Sequence, residues 1–271
     1  MKLRSCLLAS AALCGTGWYL LHGRTGHPDL PKFRSWNYAH RGLHDEMRPE
    51  NSLSAFQAAL ERGYGVELDV HLLKDGNLAV IHDSELLRIT GQEGRVEDLT
   101  AEDLPRYHLN GTPETIPTFS QVLELFAGKV PLIVELKPID GNHAALAETA
   151  CRQLENYPGL YCMESFDPRC VQWLKNNRPQ ILRGQLTEYF WATDKRMPKP
   201  LRFALSHNLG NALSRPDFVA YRYGDRKHTP TNWICENLLG LQGVSWTLKN
   251  PDQHADARAK SLIPIFEDYI P

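Results

Sequence analysis

Glu67, Asp69 and His71 occupy every second position of "GVELDVHLLKDGNLAVIHD" (residues 65–83), a stretch otherwise apolar enough for a buried strand. Alternate residues of a strand point to one side, so these polar groups share a face while Val66, Leu68 and Val70 share the other. Two carboxylates on one face of an interior strand repel each other and resist leaving water. A divalent cation relieves both difficulties. The same period of two puts Glu135 and Lys137 of "VELKP" on one face. Glu67, Asp69 and Glu135 together offer hard oxygen ligands, which suit Mg²⁺, Ca²⁺ or Mn²⁺ better than zinc. "AHRG" adds His40 and Arg41, and "IHD" adds His82 and Asp83. A metal, Arg41 and Lys137 can meet the oxygens of a phosphate group. Two histidines on opposite sides of it can act as general base and general acid near neutral pH. The set points to cleavage of a phosphodiester.

These residues need a frame that brings separate strand ends together. Strands are expected at Trp36–His40, Val66–Val70, Leu132–Leu136, Leu160–Ser165, Ile181–Leu186, Asp217–Tyr221, Leu241–Trp246 and Leu262–Phe266. Helical stretches fall between most of them, and Ser54, Phe56, Ala59 and Leu60 show the 3.6-residue spacing of a helix packed on one face. Eight strands with intervening helices predict an α/β fold, a (β/α)8 TIM barrel. Its functional residues belong at the C-terminal strand ends, where the seventh strand also delivers Trp246. Only Lys74–Asn77 separates Leu78–Ile81 from the preceding strand, too short for a parallel crossover. With Asp75-Gly76 as a tight turn, that run is expected to fold back antiparallel and carry His82 to the rim. Residues 84–117 read as a small insertion between the second strand and second helix, and segments of this size often cover a site. "GTPETIPTF" reads as a turn and helix entry.

His71 continues the acidic face but is expected to be structural. His44, His108, His143, His207, His228 and His254 are expected at the surface. A formal net charge of −2 with scattered Lys and Arg excludes a polybasic nucleic-acid footprint. Cys151, Cys162, Cys170 and Cys235 have neither zinc spacing nor disulfide density and read as buried thiols. The apolar stretch Cys6–Leu21, preceded by Lys2 and Arg4, reads as a membrane anchor, with a cleaved export signal and a secreted product as the alternative. Residues 1–32 thus form an anchor or signal with a linker from Gly23 to Lys32, and residues 33–271 form one barrel domain. Basic residues flank the anchor on both sides; the positive-inside rule leans towards a body outside the cytoplasm.

"AHRG" (39–42), "PENSLSAFQAALERG" (49–63), "VELDVHLLKDGNLAVIHD" (66–83), "IPTFSQVL" (116–123) and "VELKP" (134–138) follow one another as in glycerophosphodiester phosphodiesterases. "ESFDP" (164–168) and "VSWTLKN" (244–250) resemble that family's later strands, so the likeness covers nearly everything after Ser35. The resemblance implies a barrel enzyme that hydrolyses glycerophosphodiesters to glycerol 3-phosphate and an alcohol. It implies His40 and His82 as the acid/base pair, and Glu67, Asp69 and Glu135 as ligands of one divalent cation, Ca²⁺ or Mg²⁺. Arg41 and Lys137 match phosphate contacts, and Trp246 matches a wall beside the glycerol. In the implied mechanism the glycerol 2-hydroxyl attacks phosphorus, and water then opens a cyclic phosphate. Glu50 reads as an outer support of the metal site, and Asn51 or Ser52 as a cap of the following helix. The chain departs from the family pattern at Leu73, where Thr is frequent, and at "IFEDYIP", which replaces a Thr-Asp-x-Pro ending. Two other readings share the barrel: a lysophospholipase D-like enzyme acting on membrane lipids, and a binding protein for phosphorylated ligands without turnover.

Overall fold

The computed structural model describes residues 14–271. Eight parallel strands close into a barrel: β1 (Tyr38–His40), β2 (Gly65–Leu72), β4 (Leu132–Leu136), β5 (Tyr161–Ser165), β6 (Leu182–Thr187), β7 (Phe218–Arg222), β8 (Gln242–Leu248) and β9 (Ile263–Phe266). The sheet runs β1-β9-β8-β7-β6-β5-β4-β2, and β1 pairs with β2 to close it. The expected hairpin is present. β3 (Leu78–Val80) pairs antiparallel with β2, Val70 opposite Val80, across a turn in which Gly76 adopts φ 80°.

Inside the barrel the strands change character along their length. Tyr38, Ile133, Cys162, Leu182, Val244, Ile263 and Ile265 fill the floor as one apolar cluster. Two residues further along β1, β4, β5 and β8, on the same face by the period of two, stand His40, Glu135, Glu164 and Trp246. The lower half of the interior is therefore packed apolar matter and the upper half is chemistry. Gly65 is part of this arrangement, since a Cβ there would lie 2.7 Å from the Tyr38 ring. Outward-facing Val66, Leu68 and Val70 pack with Phe56, Ala59, Phe119 and Val122 of the surrounding helices.

Several helices start immediately above the mouth with side-chain caps, which fixes the chain just past the strand ends. Ser52 caps Leu53–Glu61 through the Ala55 amide, Asp167 caps Pro168–Asn177 and Asn250 caps Pro251–Ala259. Thr118 and Gln121 form a reciprocal capping box at Phe119–Phe126, as the "GTPETIPTF" reading anticipates. The insertion carries only short helical turns, including Leu87–Thr90, around its own apolar cluster of Leu86, Ile89, Val96, Leu104, Leu109 and Ile116. Cys151, Cys162, Cys170 and Cys235 are buried and unpaired.

The stretch expected to be a linker is laid along the closed end of the barrel. Arg24 pairs with Asp217 and also donates to the carbonyls of Pro179 and Ile181. The His27 ring meets the Gln180 carbonyl at 2.9 Å. Leu30 and Phe33 of the helix Leu30–Arg34 are buried against the floor cluster. Residues 14–21 are helical. Residues 1–13, which include the rest of the apolar segment, lie outside the described residues. Among the described residues no helix is long and apolar enough to cross a membrane.

Phe33 is 1% exposed, so Phe33→Ala should cost about 3–5 kcal/mol of folding stability. Urea unfolding checks this; a loss below about 1 kcal/mol would mean that the floor closes without this segment.

Candidate active site

At the end of β1 the chain turns sharply, with Arg41 at φ 55° and Gly42 at φ 83°. The turn aims the Arg41 amide at Glu67, 2.9 Å from its carbonyl oxygen and 3.2 Å from Oε2. The Arg41 guanidinium lies 2.9 Å from Glu50 Oε1 through Nη1, and its Nε lies 3.4 Å from Asp69 Oδ2. Glu50 also binds Arg88 of the insertion, so its role is to hold Arg41 in place and tie the insertion to the mouth. Ser52 is the helix cap. Asn51, also at positive φ, donates to Asp69 Oδ2 at 2.9 Å, which makes it a support of the acidic cluster.

Glu67, Asp69 and Glu135 are buried and present oxygens that all lie within 4.8 Å of one another. Lys137 Nζ stands 2.9 Å from Glu135 Oε1 and 3.4 Å from Asp69 Oδ1. Burial opposes ionisation of Asp69, but Lys137, His82, Arg41 and the Asn51 hydrogen bond outweigh it and hold its carboxyl low. Burial, with Asp69 and Glu135 adding repulsion, pushes Glu67 well above the usual carboxylate range. Glu135 is pushed up to about 7, chiefly by burial, against the opposing pull of Lys137. Asp69 Oδ1 is buried without a hydrogen bond. A hard divalent cation fits this set, since it uses an orphaned oxygen and offsets the repulsion.

A fourth carboxylate, Glu164, stands opposite Glu135 in the register of β4 and β5. It is buried, its Oε2 lacks a partner, and burial followed by repulsion from Glu135 and Asp69 raises its pKa well above normal. No site role was expected for it. Its signal in the sequence is its place two residues after Cys162, on the inward face at the strand end.

The two histidines share one construction. His40 Nδ1 lies 2.7 Å from Glu267 Oε2, and His82 Nδ1 lies 2.6 Å from Asp83 Oδ1. In each ring Nε2 is left for the cavity. Burial and the Lys137 and Arg41 charges, partly offset by Asp69, push His82 down to about 4. Arg88 grips Asp83 from the insertion. His71 is the structural residue expected: it bridges Glu97 Oε1 at 2.7 Å and the His82 carbonyl at 3.0 Å, joining insertion to hairpin. His44 departs from its expected surface role, with Nε2 buried 3.3 Å from Glu267 Oε1. Among the other histidines, His108 and His228 are exposed, and His143, His207 and His254 are half-buried.

His40, Arg41, Glu67, His82, Glu135 and Lys137 line a cavity of about 320 Å³, walled on one side by Trp246 and Phe166. These two rings meet edge to face at 5.6 Å, and Trp246 Nε1 is buried without a partner. A wider cleft of about 650 Å³ shares His82, Glu135, Lys137 and Phe166 and continues past Leu87 and Ile139. Every residue expected in the site thus reaches one mouth. Glu164, Glu267, His44 and Arg88 join it unexpected.

A parallel barrel whose mouth is furnished in this way defines the class of barrel phosphodiesterases. The family model of the Glycerophosphoryl diester phosphodiesterase family matches residues 40–270, and the chain belongs to this family of phosphoric diester hydrolases. It is 40% identical over 130 residues to a glycerophosphodiester phosphodiesterase of Bacillus altitudinis, covering 44% of this chain and 52% of that protein. It is 30% identical over 247 residues to a putative glycerophosphodiester phosphodiesterase of Bacillus subtilis, covering 85% and 93% of the two chains. An Oleispira antarctica phosphodiesterase, solved in complex with the product sn-glycerol-3-phosphate, has a TM-score of 0.69 at 22% identity, covering 86% of this chain and 93% of that one. That last likeness concerns the fold.

Because ligands must be deprotonated, a cation entering the triad displaces protons from Glu135 and Glu67. Calorimetry of Mg²⁺ or Ca²⁺ binding should therefore show proton release. Affinity should climb as pH rises through 7, by up to about tenfold per unit for each proton displaced. Binding that is independent of pH, with no proton released, would remove the triad as the ion site.

Proposed function

We propose that the protein hydrolyses glycerophosphodiesters to glycerol 3-phosphate and an alcohol, with one divalent cation, Ca²⁺ or Mg²⁺, held by Glu67, Asp69 and Glu135. Mn²⁺ suits the same oxygens. The observation that carries this reading is the pair of carboxylate-backed imidazoles facing one cavity that also holds the acidic triad, Arg41 and Lys137. When bound, the cation supplies positive charge to the phosphoryl oxygens as negative charge grows on them.

Arg41 and Lys137 meet the remaining phosphoryl oxygens, and Trp246 flanks the glycerol. His40 lines the inner cavity alone, whereas His82 lines both the cavity and the wider cleft. This geography supports the following order of steps. His40 Nε2 takes the proton of the glycerol 2-hydroxyl as that oxygen bonds to phosphorus. With the negative diester bound against Lys137 and Arg41, whose charges otherwise disfavour its imidazolium, His82 holds a proton. It gives this proton to the alcohol oxygen as the bond from that oxygen to phosphorus breaks, and the alcohol leaves by the cleft. Water then opens the five-membered cyclic phosphate: His82 accepts the water proton and His40 returns one to the 2-oxygen. Both rings end as they began.

A second reading, action on lysolipids, is favoured by the width and apolar lining of the cleft. We further propose that the N-terminal apolar segment tethers the enzyme to a membrane; Lys2 and Arg4 ahead of Cys6–Leu21 support this.

His40→Ala and His82→Ala should each lower kcat by about 10²–10⁴-fold in folded protein, and a chelator should abolish turnover. Assays of glycerophosphocholine, glycerophosphoethanolamine and lysophosphatidylcholine vesicles, with and without chelator, check this. Near-native activity of either variant sinks the acid/base pair, and turnover of the vesicles alone favours the second reading. In carbonate-washed membranes the full chain should stay in the pellet; release to the supernatant would dispose of the tether.

A further inference from the structure

Glu267 belongs to "IFEDYIP", the ending in which this chain departs from Thr-Asp-x-Pro, so the resemblance assigns it nothing. Its carboxylate nevertheless has three neighbours that matter. Oε2 lies 2.7 Å from His40 Nδ1 and 3.0 Å from Lys249 Nζ, and Oε1 lies 3.3 Å from His44 Nε2. Each neighbour comes from a different part of the barrel: His40 from the end of β1, His44 from the loop after it, and Lys249 from the turn after β8. Lys249 is itself held by Asp268 Oδ2 at 2.9 Å. The Glu267 side chain is only 18% exposed and that of His40 only 13%.

We propose that Glu267 is the positioning residue for His40: it fixes the ring's tautomer and direction, and Lys249 and His44 keep its carboxylate in place. Despite burial, the hydrogen bond from His40 and the nearby His44 and Lys249 keep Glu267 ionised. An ionised carboxylate only accepts hydrogen bonds, so Nδ1 must carry the proton. Nε2 then presents its lone pair on the opposite side of the ring, where it stands 3.8 Å from Glu67 Oε2. A histidine that removes a hydroxyl proton needs this tautomer and this direction, and a carboxylate on the far nitrogen supplies both. It also stabilises the imidazolium formed once the proton has been taken. Threonine at position 267 is too short to span the same gap with a charge. On this account the chain sets His40 by a carboxylate from the last strand, whereas His82 takes its carboxylate from the adjacent residue.

The inference rests on His40 acting as a base, as proposed above, so its test separates the two ideas. The full chain, wild type and the variants Glu267→Thr and Glu267→Gln, is assayed with Mg²⁺ on glycerophosphocholine. The ring nitrogens of His40 are read by ¹⁵N NMR in the same proteins, and thermal melting monitors folding. Glu267→Thr should lower kcat about 100-fold with KM within about twofold, and His40 should lose its single Nδ1–H tautomer. In Glu267→Gln the amide oxygen still accepts from Nδ1 but the charge is lost, so the tautomer should persist and kcat should fall only about tenfold. A kcat for Glu267→Thr within twofold of wild type, or an unchanged His40 tautomer, overturns the inference. If Glu267→Thr does not fold, Glu267→Gln decides alone: a fall of about tenfold at constant KM supports the role, and unchanged kcat refutes it. The NMR reading needs no turnover, so it stands or falls independently of whether His40 is the base.

Discussion

Repulsion among buried carboxylates governs the upper half of this barrel. Glu67, Asp69 and Glu135 crowd their oxygens within 4.8 Å of one another in a site almost free of solvent, with Glu164 immediately behind. Such a group cannot be fully ionised without compensation. The chain supplies part of it through Lys137, Arg41 and the Asn51 amide, all of which converge on Asp69. The division is uneven: Asp69 stays charged while Glu67, Glu135 and Glu164 are driven towards protonation. The unmet remainder is what makes the mouth receptive to a cation.

Compensation reaches outward through a chain of ion pairs. Arg41 leans on Glu50, Glu50 on Arg88, Arg88 on Asp83, and Asp83 on His82. The insertion, whose Glu97 is bound by His71, which also reaches the His82 carbonyl, thereby sets His82 and Arg41 together. Across the mouth, Glu267, His44 and Lys249 make a separate cluster around the other histidine. The two imidazoles are thus held by separate supports, His40 by residues that follow β8 and β9 and His82 through the insertion, while the floor beneath them is plain apolar packing.

Much of this was legible in the order of residues. Alternation in "GVELDVH" and "VELKP" gave both the strand faces and the triad, because a period of two is a property of the strand alone. The hairpin followed from loop length, and the helix starts from Ser52 and Thr118. What escaped depends on closure. Glu164 meets Glu135 only through the register of β4 and β5, and Glu267 meets His40 only because β9 lies beside β1. His44 looked like a loop histidine because its partner lies more than two hundred residues away. Arg88 sits in a segment whose weak periodicity carries no directional information. The stretch from Gly23 to Lys32 read as a linker for a similar reason: Arg24 finds Asp217, and His27 finds Gln180, only once the barrel has a floor to present.

That strap along the floor also fixes the end of the barrel at which this part of the chain lies. Arg24, His27, Leu30 and Phe33 bind the chain to the starts of β6 and β7 and to the floor, and the reacting groups lie at the opposite ends of the strands, roughly 20 Å away. Anything gripping the first residues of the chain must grip the molecule from below, so its opening looks outward from that support. A support of that kind would leave the mouth uncovered, with His40, His82 and the acidic triad facing away from it.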